Sequence, residues 1–410
     1  MQFDLFDTKE KESLTEAMFQ AYFDCRKNKR NTINALQFEK HFEKNIFQLC
    51  DEINAGTYQP GNSIAFIVNK PVMREVFAAN FRDRVVHHFI YNKLNPLFEK
   101  AFINDSFACR IGKGTHFGIK RADDFIKACS KNYTNACYIL KLDVQGFFMH
   151  INRTLLFDRL IKFIHENYLV SDKAMVIELC NKIIFNDPTK NCIIKGKRKD
   201  WEGLPQNKSL FHSPPDCGLP IGNLTSQVFA NFYLNLLDHF ITAELGINYY
   251  GRYVDDFIIV HENNEYLKNL IPQIAEFLQS RLQLTLHPNK IYLQHYSKGV
   301  KYLGAVIKPN RIYIAKRTKG NFYRAILEMN KIVEVEKLTI DEKAEFLSIM
   351  NSYLGILKHY RTYNLRRKMI EKHLSLGWWT YVYAIHYAKF RLKKLKHLSV
   401  SKRIENLSIY

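Results

Sequence analysis

The stretch Tyr253-Val254-Asp255-Asp256-Phe257 is the feature from which the rest of this chain is interpreted. It sets two adjacent carboxylates between the apolar, β-prone runs 247–254 and 257–260, a pattern that predicts a β-hairpin. Asp tolerates turn dihedrals, so Asp255 and Asp256 are expected to form a two-residue turn. Like charges held side by side repel each other, and a cation between them relieves the repulsion. A lone Asp-Asp pair is usually a solvated turn, so a functional interpretation needs a third carboxylate.

Asp143 supplies that third carboxylate. It follows the apolar run 138–142 of a predicted strand. A charge near the end of an otherwise apolar strand is costly unless it is paired, so a cation is expected beside it. Phe147 and Phe148 come shortly after, and core packing is the simplest interpretation of both rings.

The charge balance indicates a polyanionic partner. The 410 residues carry 60 Lys and Arg against 40 Asp and Glu, a net charge of +20. Such an excess suits a phosphate backbone. More than half of it lies in residues 316–410, which hold 20 Lys and Arg against 8 Asp and Glu. No apolar run reaches the roughly 20 residues that a membrane span needs, so no membrane partner is expected.

The first residues and the cysteines indicate the cellular compartment of the protein. Met1 opens into a polar stretch without an apolar signal region, which predicts a cytoplasmic protein. The eight cysteines are scattered and form no Cys/His cluster at zinc spacing. They are therefore expected to be reduced residues without chemistry.

The first part of the chain is predicted to be helical and then β-like. Apolar spacing of three and four predicts two amphipathic helices over residues 9–56. A hairpin is predicted over residues 63–77, with its turn at 69–71. Lys70 and Arg74 flank that turn, where they could meet a phosphate or simply be solvated at the hairpin tip.

The later segments alternate between polar and helical patterns. Residues 186–216 are polar and irregular, which predicts an exposed insertion. The turn at 218–222 leads into a helix that Asn223 or Thr225 could cap. Beyond residue 309 the chain is basic, with helices predicted at 341–374 and 379–398. Charge concentrated in one region favours a nucleic-acid clamp over an ordinary solvated face.

The order of these elements resembles a reverse transcriptase. Asp143 is followed by the turn Gly218-Leu219-Pro220-Ile221-Gly222 with its helix, and the Tyr-Val-Asp-Asp hairpin places Asp255 112 residues after Asp143. The resemblance implies an α+β fold of the right-hand polymerase type. Its implied regions are an N-terminal helical extension at 1–62, fingers at 63–137, a palm at 138–308 with the insertion at 186–216, and a helical, basic thumb at 309–410.

The same resemblance implies the chemistry. A primer 3′-hydroxyl attacks the α-phosphate of a deoxynucleoside triphosphate, and two Mg²⁺ ions neutralise the charge that develops. Asp143 and Asp255 are the implied metal ligands, because carboxylate oxygens suit a hard ion. Asp256 would be a weaker ligand or an electrostatic support. Lys290 resembles a lysine that protonates pyrophosphate, although a solvated turn lysine is the alternative.

Five further residues are implied contacts of the incoming nucleotide. Lys70 and Arg74 match triphosphate-binding positions of the fingers. Phe148 matches the steric gate, whose ring clashes with a ribose 2′-hydroxyl and so selects deoxynucleotides. Gly222 lets the backbone approach the nascent base pair, and Ile221 stands beside it.

The motif around Ile221 narrows the resemblance. Most reverse transcriptases carry Gln-Gly-x-x-x-Ser-Pro there, whereas this chain has Ile221-Gly222-Asn223-Leu224-Thr225-Ser226-Gln227. An aliphatic residue before the Gly and a Gln after the Ser resemble the enzymes of diversity-generating retroelements. That resemblance implies copying of a template RNA into cDNA through an RNA/DNA hybrid, with errors at adenines, in mutagenic retrohoming. It also implies a small basic accessory protein that assembles as an oligomer.

Two other functions are compatible with the sequence. One is a reverse transcriptase of the phage-defence or retron type, which the motif around Ile221 disfavours. The other belongs to a different class: a catalytically inactive palm protein that serves as an RNA-binding scaffold. The presence of all three of Asp143, Asp255 and Asp256 argues against the scaffold.

Overall fold

The computed structural model describes residues 13–27, 32–69, 72–333 and 338–393. The chain divides into two compact units, Met1–His295 and Tyr296–Tyr410. The predicted division into extension, fingers, palm and thumb is finer than this and stays a prediction. Helices stand beside largely antiparallel sheets, as the predicted α+β class requires. All eight cysteines lie in the described residues, and none of them forms a disulfide.

The described part of the first unit contains ten α-helices. They are α1 (Leu14–Arg26), α2 (Ile33–Glu39), α3 (Phe42–Asn54), α4 (Phe81–Ala101), α5 (Thr115–Cys129), α6 (Phe147–His150), α7 (Arg153–Asn167), α8 (Lys173–Ile184), α9 (Leu224–His239) and α10 (Asn264–Leu282). The N-terminal region contains three helices where two are predicted, because the chain breaks at Lys40 and His41. The apolar spacing continues across this break from Phe38 to Phe42, so periodicity alone could not reveal it.

Two sheets accompany these helices. Their strands are β1 (Ile64–Val68), β2 (Arg74–Ala78), β3 (Tyr138–Asp143), β4 (Ile193–Ile194), β5 (Tyr250–Tyr253), β6 (Asp256–His261) and β7 (Tyr292–His295). The larger sheet is antiparallel with the order β5-β6-β3-β7, and the smaller sheet has the order β2-β1-β4. Leu140 and Leu142 of β3 share one hydrophobic core with Phe257 of β6 and with helix α9. The apolar runs on either side of the carboxylates therefore anchor the strand ends that carry them.

The insertion at 186–216 differs from the exposed, irregular segment that its composition predicts. Its strand β4 pairs in parallel with β1, and three short 3-10 turns follow. Ser209 and Leu210 are buried, although Lys195, Lys197 and Lys199 are exposed. Polar composition thus predicts the exposed residues of this segment but not its buried residues.

The described part of the second unit combines a small sheet, four helices and a hairpin. Its elements are β8 (Val300–Tyr302), β9 (Ala305–Lys308), β10 (Arg311–Ile314), α11 (Lys316–Val333), α12 (Ile340–Leu357), α13 (Tyr363–His373), α14 (Trp378–Tyr381), β11 (Val382–Ile385) and β12 (Lys389–Leu392). The predicted helix at 341–374 is therefore interrupted between α12 and α13.

The helix predicted at 379–398 is wrong over most of its described part, which forms the hairpin of β11 and β12. His386 and Tyr387 at its turn have φ angles of 47° and 51°, the left-handed backbone of a tight hairpin turn. Charged and apolar residues alternate over 389–392 with a period of two, which is the period of a strand. Residues 394–398 lie outside the described residues.

Helix α9 runs through the core of the first unit. Every residue from Val228 to Leu234 is buried. A helix that is apolar on all sides is either a core helix or a membrane span, and no helix in the described part of the chain is long and apolar enough to cross a membrane. The buried polar residues Asn231 and Asp238 of α9 need partners within this core.

His87 on α4 is held neutral by its surroundings. Its side chain is buried, and its Nδ1 atom is hydrogen-bonded to Thr225 Oγ1 at the start of α9. Burial, with smaller effects of His88 and Arg84, lowers the pKa of His87 from 6.5 to about 3. The unfolded chain therefore binds a proton below pH 6.5 that the folded protein does not bind. Stability should fall as the pH drops from 6.5 toward 3.

We expect the free energy of unfolding to fall by about 2 kcal/mol through His87 as the pH drops from about 6.5 to about 5. Denaturant titrations of the wild type and of His87→Gln at both pH values measure this effect. Gln does not titrate and can still hydrogen-bond Thr225, so the variant should lose about 2 kcal/mol less than the wild type. An equal loss in both proteins would contradict the assignment.

Candidate active site

The register of the central sheet brings the three predicted carboxylates to one end of it. β3 pairs with β6 so that Asp143 lies opposite Asp256. Asp255 precedes Asp256 in the turn, and its carbonyl oxygen accepts a hydrogen bond from the Val144 amide at 3.3 Å. The structure thus groups residues that are 112 positions apart in the sequence.

The turn itself is placed differently from the prediction. Tyr253 pairs with Asp256, so the two turn residues are Val254 and Asp255, and Asp256 is the first residue of β6. Val254 has a φ of 58°, a strained conformation for a β-branched residue. The sequence indicated Asp-Asp because Asp accepts turn dihedrals far more readily than Val does.

Burial and mutual repulsion make the two carboxylates of the hairpin hard to ionise. Burial, followed by the negative charge of Asp143, raises the pKa of Asp255 to about 6. Burial raises the pKa of Asp256 to about 7, where the charge of Lys141 opposes the shift and the charges of Asp255 and Asp143 add to it. A cation close to these groups would stabilise their charged forms.

Two lysines provide positive charge at this end of the sheet. Lys290 Nζ donates to Asp143 Oδ1 at 2.8 Å, and Lys141 Nζ lies 3.3 Å from Asp256 Oδ2. Lys290 is the predicted proton donor, and the structure places it against a predicted metal ligand. The sequence analysis did not identify Lys141. Its signal was present, since Lys141 and Asp143 are two residues apart on one strand and so share a face.

The carboxylates suit a hard divalent cation in their donor chemistry. Asp256 Oδ1 is buried and has no hydrogen-bond partner among the described residues, so one oxygen remains available to a cation. Within the described ranges, no group of three or more His, Cys, Asp or Glu side chains is arranged to hold a metal ion. The carboxylate oxygens therefore suit a cation in their chemistry but are not arranged as a metal site, and here the ammonium groups of Lys141 and Lys290 balance the charge.

Strand β2 faces the same carboxylates through Arg74. The side chain of Arg74 is exposed, and its charge acts to lower the pKa of Asp255 against the stronger effect of burial. A guanidinium in this position could contact a triphosphate bound over the carboxylates. Lys70, the other predicted triphosphate contact, lies outside the described residues.

The loop before α9 is fixed by two hydrogen bonds to β2 and to the residue that follows it. The Phe77 amide donates to the Ile221 carbonyl at 2.8 Å, and the Ala79 amide donates to Asn223 Oδ1 at 3.0 Å. Asn223 precedes α9 as predicted, but its side chain makes no capping hydrogen bond to the helix. The sequence could not show that this side chain accepts instead from the Ala79 amide, just beyond β2.

Gly222 is required by this close approach. Its φ is +128°, and a Cβ atom there would lie 2.8 Å from Val76 Cγ1 and 3.0 Å from the Phe77 carbonyl oxygen. Phe148 joins the same region, because its carbonyl accepts from the Leu219 amide at 2.8 Å. The structure therefore assembles Phe148, Ile221 and Gly222 beside β2.

This arrangement agrees with a comparison to known proteins. Residues 69–307, more than half of the chain, match the family described as "Reverse transcriptase (RNA-dependent DNA polymerase)". The chain belongs to the reverse transcriptase family. The predicted right-hand polymerase fold and the enzyme class of RNA-directed DNA polymerase, a nucleotidyltransferase, follow from this membership.

The individual similar proteins are distant. Protein YkfC of Escherichia coli (strain K12) is 20% identical over 306 residues, which are 66% of this chain and 73% of that protein. Apo telomerase from Candida tropicalis, truncated from its C-terminal domain, is 15% identical with a TM-score of 0.44 and covers 62% of this chain and 55% of its own. Telomerase from Candida albicans with a fragment of telomeric RNA is 12% identical with a TM-score of 0.44, over 78% of this chain and 57% of its own. The chain thus spans little more than half the length of these telomerases.

A buried ion pair supports the hairpin that carries Asp255. Arg252 on β5 is fully buried, and its guanidinium donates to both carboxylate oxygens of Asp238 on α9, at 2.7 and 2.6 Å. It also donates to the carbonyl of Val254 in the turn at 2.9 Å. Tyr250 donates to the same carboxylate at 2.6 Å. Arg252 therefore connects the turn that carries Asp255 to the central helix.

In the sequence, Arg252 is a charged residue inside the apolar run 247–254, and no role is predicted for it. Burial acts to lower the pKa of its guanidinium, but the charge and hydrogen bonds of Asp238 more than offset this effect, so the pKa is raised. An arginine within a strand that is otherwise buried was the available signal. Its partner could not be inferred, because Asp238 lies 14 positions earlier on a helix.

We expect Arg252→Met to reduce the free energy of unfolding by about 3–5 kcal/mol, because it leaves the Asp238 carboxylate buried without its partner. Denaturant unfolding measures the change. Arg281→Met is the matched control, since Arg281 is exposed near the end of α10, and it should change stability by no more than about 0.5 kcal/mol. Similar losses in the two variants would refute the role assigned to Arg252.

Proposed function

We propose that this chain copies an RNA template into complementary DNA. The observation that carries the proposal is the convergence of Asp143, Asp255 and Asp256 at one end of the central sheet. Template RNA, an RNA/DNA hybrid and deoxynucleoside triphosphates are the proposed partners and substrates. The net charge of +20 suits a polyanionic duplex.

The proposed reaction is the attack of a primer 3′-hydroxyl on the α-phosphate of the nucleotide, with pyrophosphate as the leaving group. Asp143 and Asp255 would hold two Mg²⁺ ions, and Asp256 would support them. When bound, these ions supply electrostatic neutralisation of the attacking oxygen and the phosphates. Arg74 would hold the triphosphate from the fingers side, as Lys70 would by resemblance.

Lys290 would have two successive partners in this scheme. In the structure its ammonium group donates to Asp143. When the Asp143 carboxylate binds another cation, the Lys290 ammonium group would be released. The exposed Lys290 side chain could then donate a proton to the departing pyrophosphate. Lys141 would stay beside Asp256, where its charge favours the ionised form of that carboxylate against the stronger effect of burial.

Nucleotide selection is assigned to the residues beside β2. Phe148 would exclude the ribose 2′-hydroxyl, and Gly222 would allow the backbone to approach the nascent base pair. Ile221 removes the hydrogen bonds that a Gln would make near the incoming nucleotide. We infer that this loss lowers fidelity, because an apolar contact discriminates poorly between isosteric partners.

The finer proposal is a role in mutagenic retrohoming of a diversity-generating retroelement, with errors concentrated at adenines. It is supported by the sequence Ile221-Gly222-Asn223-Leu224-Thr225-Ser226-Gln227 and rests on the resemblance alone. A small basic accessory protein oligomer and a cytoplasmic location belong to the same proposal.

Primer extension on an RNA template with Mg²⁺ tests the polymerase activity. We expect Asp255→Asn to lower the rate at least about 100-fold, because a charged ligand for the cations is lost. Glu276→Gln, an exposed acid on α10, should leave the rate unchanged. Equal incorporation by the wild type and Asp255→Asn would exclude the catalytic assignment and favour the RNA-binding scaffold.

Sequencing of the cDNA tests the subtype. We expect wild-type errors to concentrate at template adenines and Ile221→Gln to restore part of the accuracy there, because Gln returns hydrogen-bonding groups to the pocket. Ile221→Leu is the matched control and should keep the wild-type error spectrum. Identical spectra for Ile221→Gln and the wild type would contradict the role of Ile221.

A further inference from the structure

The insertion at 186–216 is attached to the strands that carry the nucleotide contacts. β4 lengthens the small sheet beside β1, where the Ile193 amide donates to the Ser63 carbonyl at 2.8 Å and the Lys195 amide to the Ala65 carbonyl at 2.9 Å. β1 in turn pairs with β2, the strand of Arg74. The insertion therefore joins the sheet that carries Arg74, with β1 between β4 and β2.

Glu75 is the centre of this attachment. It is 1% exposed, and it accepts hydrogen bonds from Trp201 Nε1 at 2.6 Å, Ser209 Oγ at 2.8 Å and the Leu210 amide at 2.5 Å. All three donors belong to the insertion. A carboxylate this deeply buried is costly unless its oxygens are satisfied, so the insertion and β2 depend on each other.

The geometry of β2 separates two roles. Adjacent residues of a strand point to opposite faces, and here Arg74 is exposed while Glu75 is buried. Arg74 acts on the carboxylate of Asp255, whereas Glu75 binds the insertion. One strand thus connects the proposed triphosphate contact to a segment far from the carboxylates in sequence.

The two proposed selectivity residues pack on the same cluster as the insertion. Phe77, Met149 and Leu210 form part of a small buried cluster, and Phe148, Trp201 and Ile221 are half-buried side chains packed against it. Phe211 of the insertion is 5.3 Å from Phe77, ring centre to ring centre. A shift of Trp201 or Leu210 would therefore open space beside both Phe148 and Ile221.

Backbone contacts leave little room for independent movement. A Cβ atom on Gly146, just before α6, would lie 2.8 Å from the Asn207 carbonyl oxygen of the insertion. A Cβ atom on Gly218 would lie 2.6 Å from Leu210 Cδ1. The insertion is thus in close contact with the segments that precede Phe148 and Ile221.

We propose that the insertion forms the rear wall of the nucleotide pocket, and that Glu75 is a positioning residue for nucleotide selection. Through Trp201 and Leu210, Glu75 fixes the places of Phe148 and Ile221, and so it sets how strongly a ribose or a mispaired base is rejected. This inference rests on the proposed polymerase function and extends it to a segment and a residue outside the catalytic carboxylates.

Single-nucleotide incorporation tests the inference, with kcat/KM measured for a deoxynucleotide and for the matching ribonucleotide. Glu75→Gln places an amide NH₂ against one N–H donor, that of Trp201 or that of Leu210. Trp201→Phe removes the indole donor together with part of the ring. We expect the preference for the deoxynucleotide to fall about tenfold in Glu75→Gln and by less in Trp201→Phe. Incorporation of the correct deoxynucleotide should change less than this ratio. Lys199→Ala, exposed on the same insertion, should behave as the wild type.

Hydrogen exchange provides a second measurement that does not require catalysis. Peptides covering residues 146–150 and 219–223 should exchange faster in Glu75→Gln than in Lys199→Ala, because the wall behind them is loosened. Active variants with an unchanged selectivity ratio, or with a rate loss equal for both nucleotides, would overturn the inference and leave the polymerase function intact. A wild type that incorporates no nucleotide would overturn the proposed function itself, and that outcome is distinct.

Discussion

The antiparallel register between β3 and β6 is the constraint on which the site depends. It places Asp143 opposite Asp256 and leaves Asp255 in the adjoining turn. Strand side chains alternate between faces, so a slip of one residue would reverse every side chain of one strand. The apolar residues Leu142 and Phe257 next to the carboxylates are fully buried, and they hold this register. Burial of the strand interiors is what forces negative charge together at the strand ends.

The surroundings compensate for that concentrated charge on two sides. Lys141 and Lys290 approach the carboxylates from the same sheet and from the turn before β7. Beneath the hairpin, Arg252 forms its ion pair with Asp238 and also binds the Val254 carbonyl. The strained Val254 backbone is thus stabilised by a group that has no access to solvent. Strain at a turn persists only where neighbouring contacts fix it in this way.

Sequence reasoning located the parts of the site that strand patterns and charge make visible. Asp143, Asp255 and Asp256 stand out in the sequence because a carboxylate beside an apolar strand is costly to bury without a partner. The turn at Val254, the partner of Arg252 and the role of Glu75 were not identified. Each depends on which distant segment packs against the residue in question, and the local sequence pattern does not show that. The hairpin of β11 and β12 differs from the predicted helix for another reason. Its basic composition is typical of a solvated helix, but its charged and apolar residues alternate with the period of two of a strand.

The small sheet of β1, β2 and β4 has a consequence for the behaviour of the chain in solution. A bare strand edge offers unpaired amides and carbonyls to any other chain, and such edges promote aggregation. Here β4 pairs with the start of β1 on one edge of the hairpin. On the other edge the Ile221 carbonyl accepts from the Phe77 amide of β2, and the Asn223 side chain accepts from the Ala79 amide just beyond it. The insertion and the loop before α9 therefore also cover the two edges of this sheet. Shortening either segment would expose unpaired backbone amides and carbonyls, which promote aggregation, and would also alter the pocket.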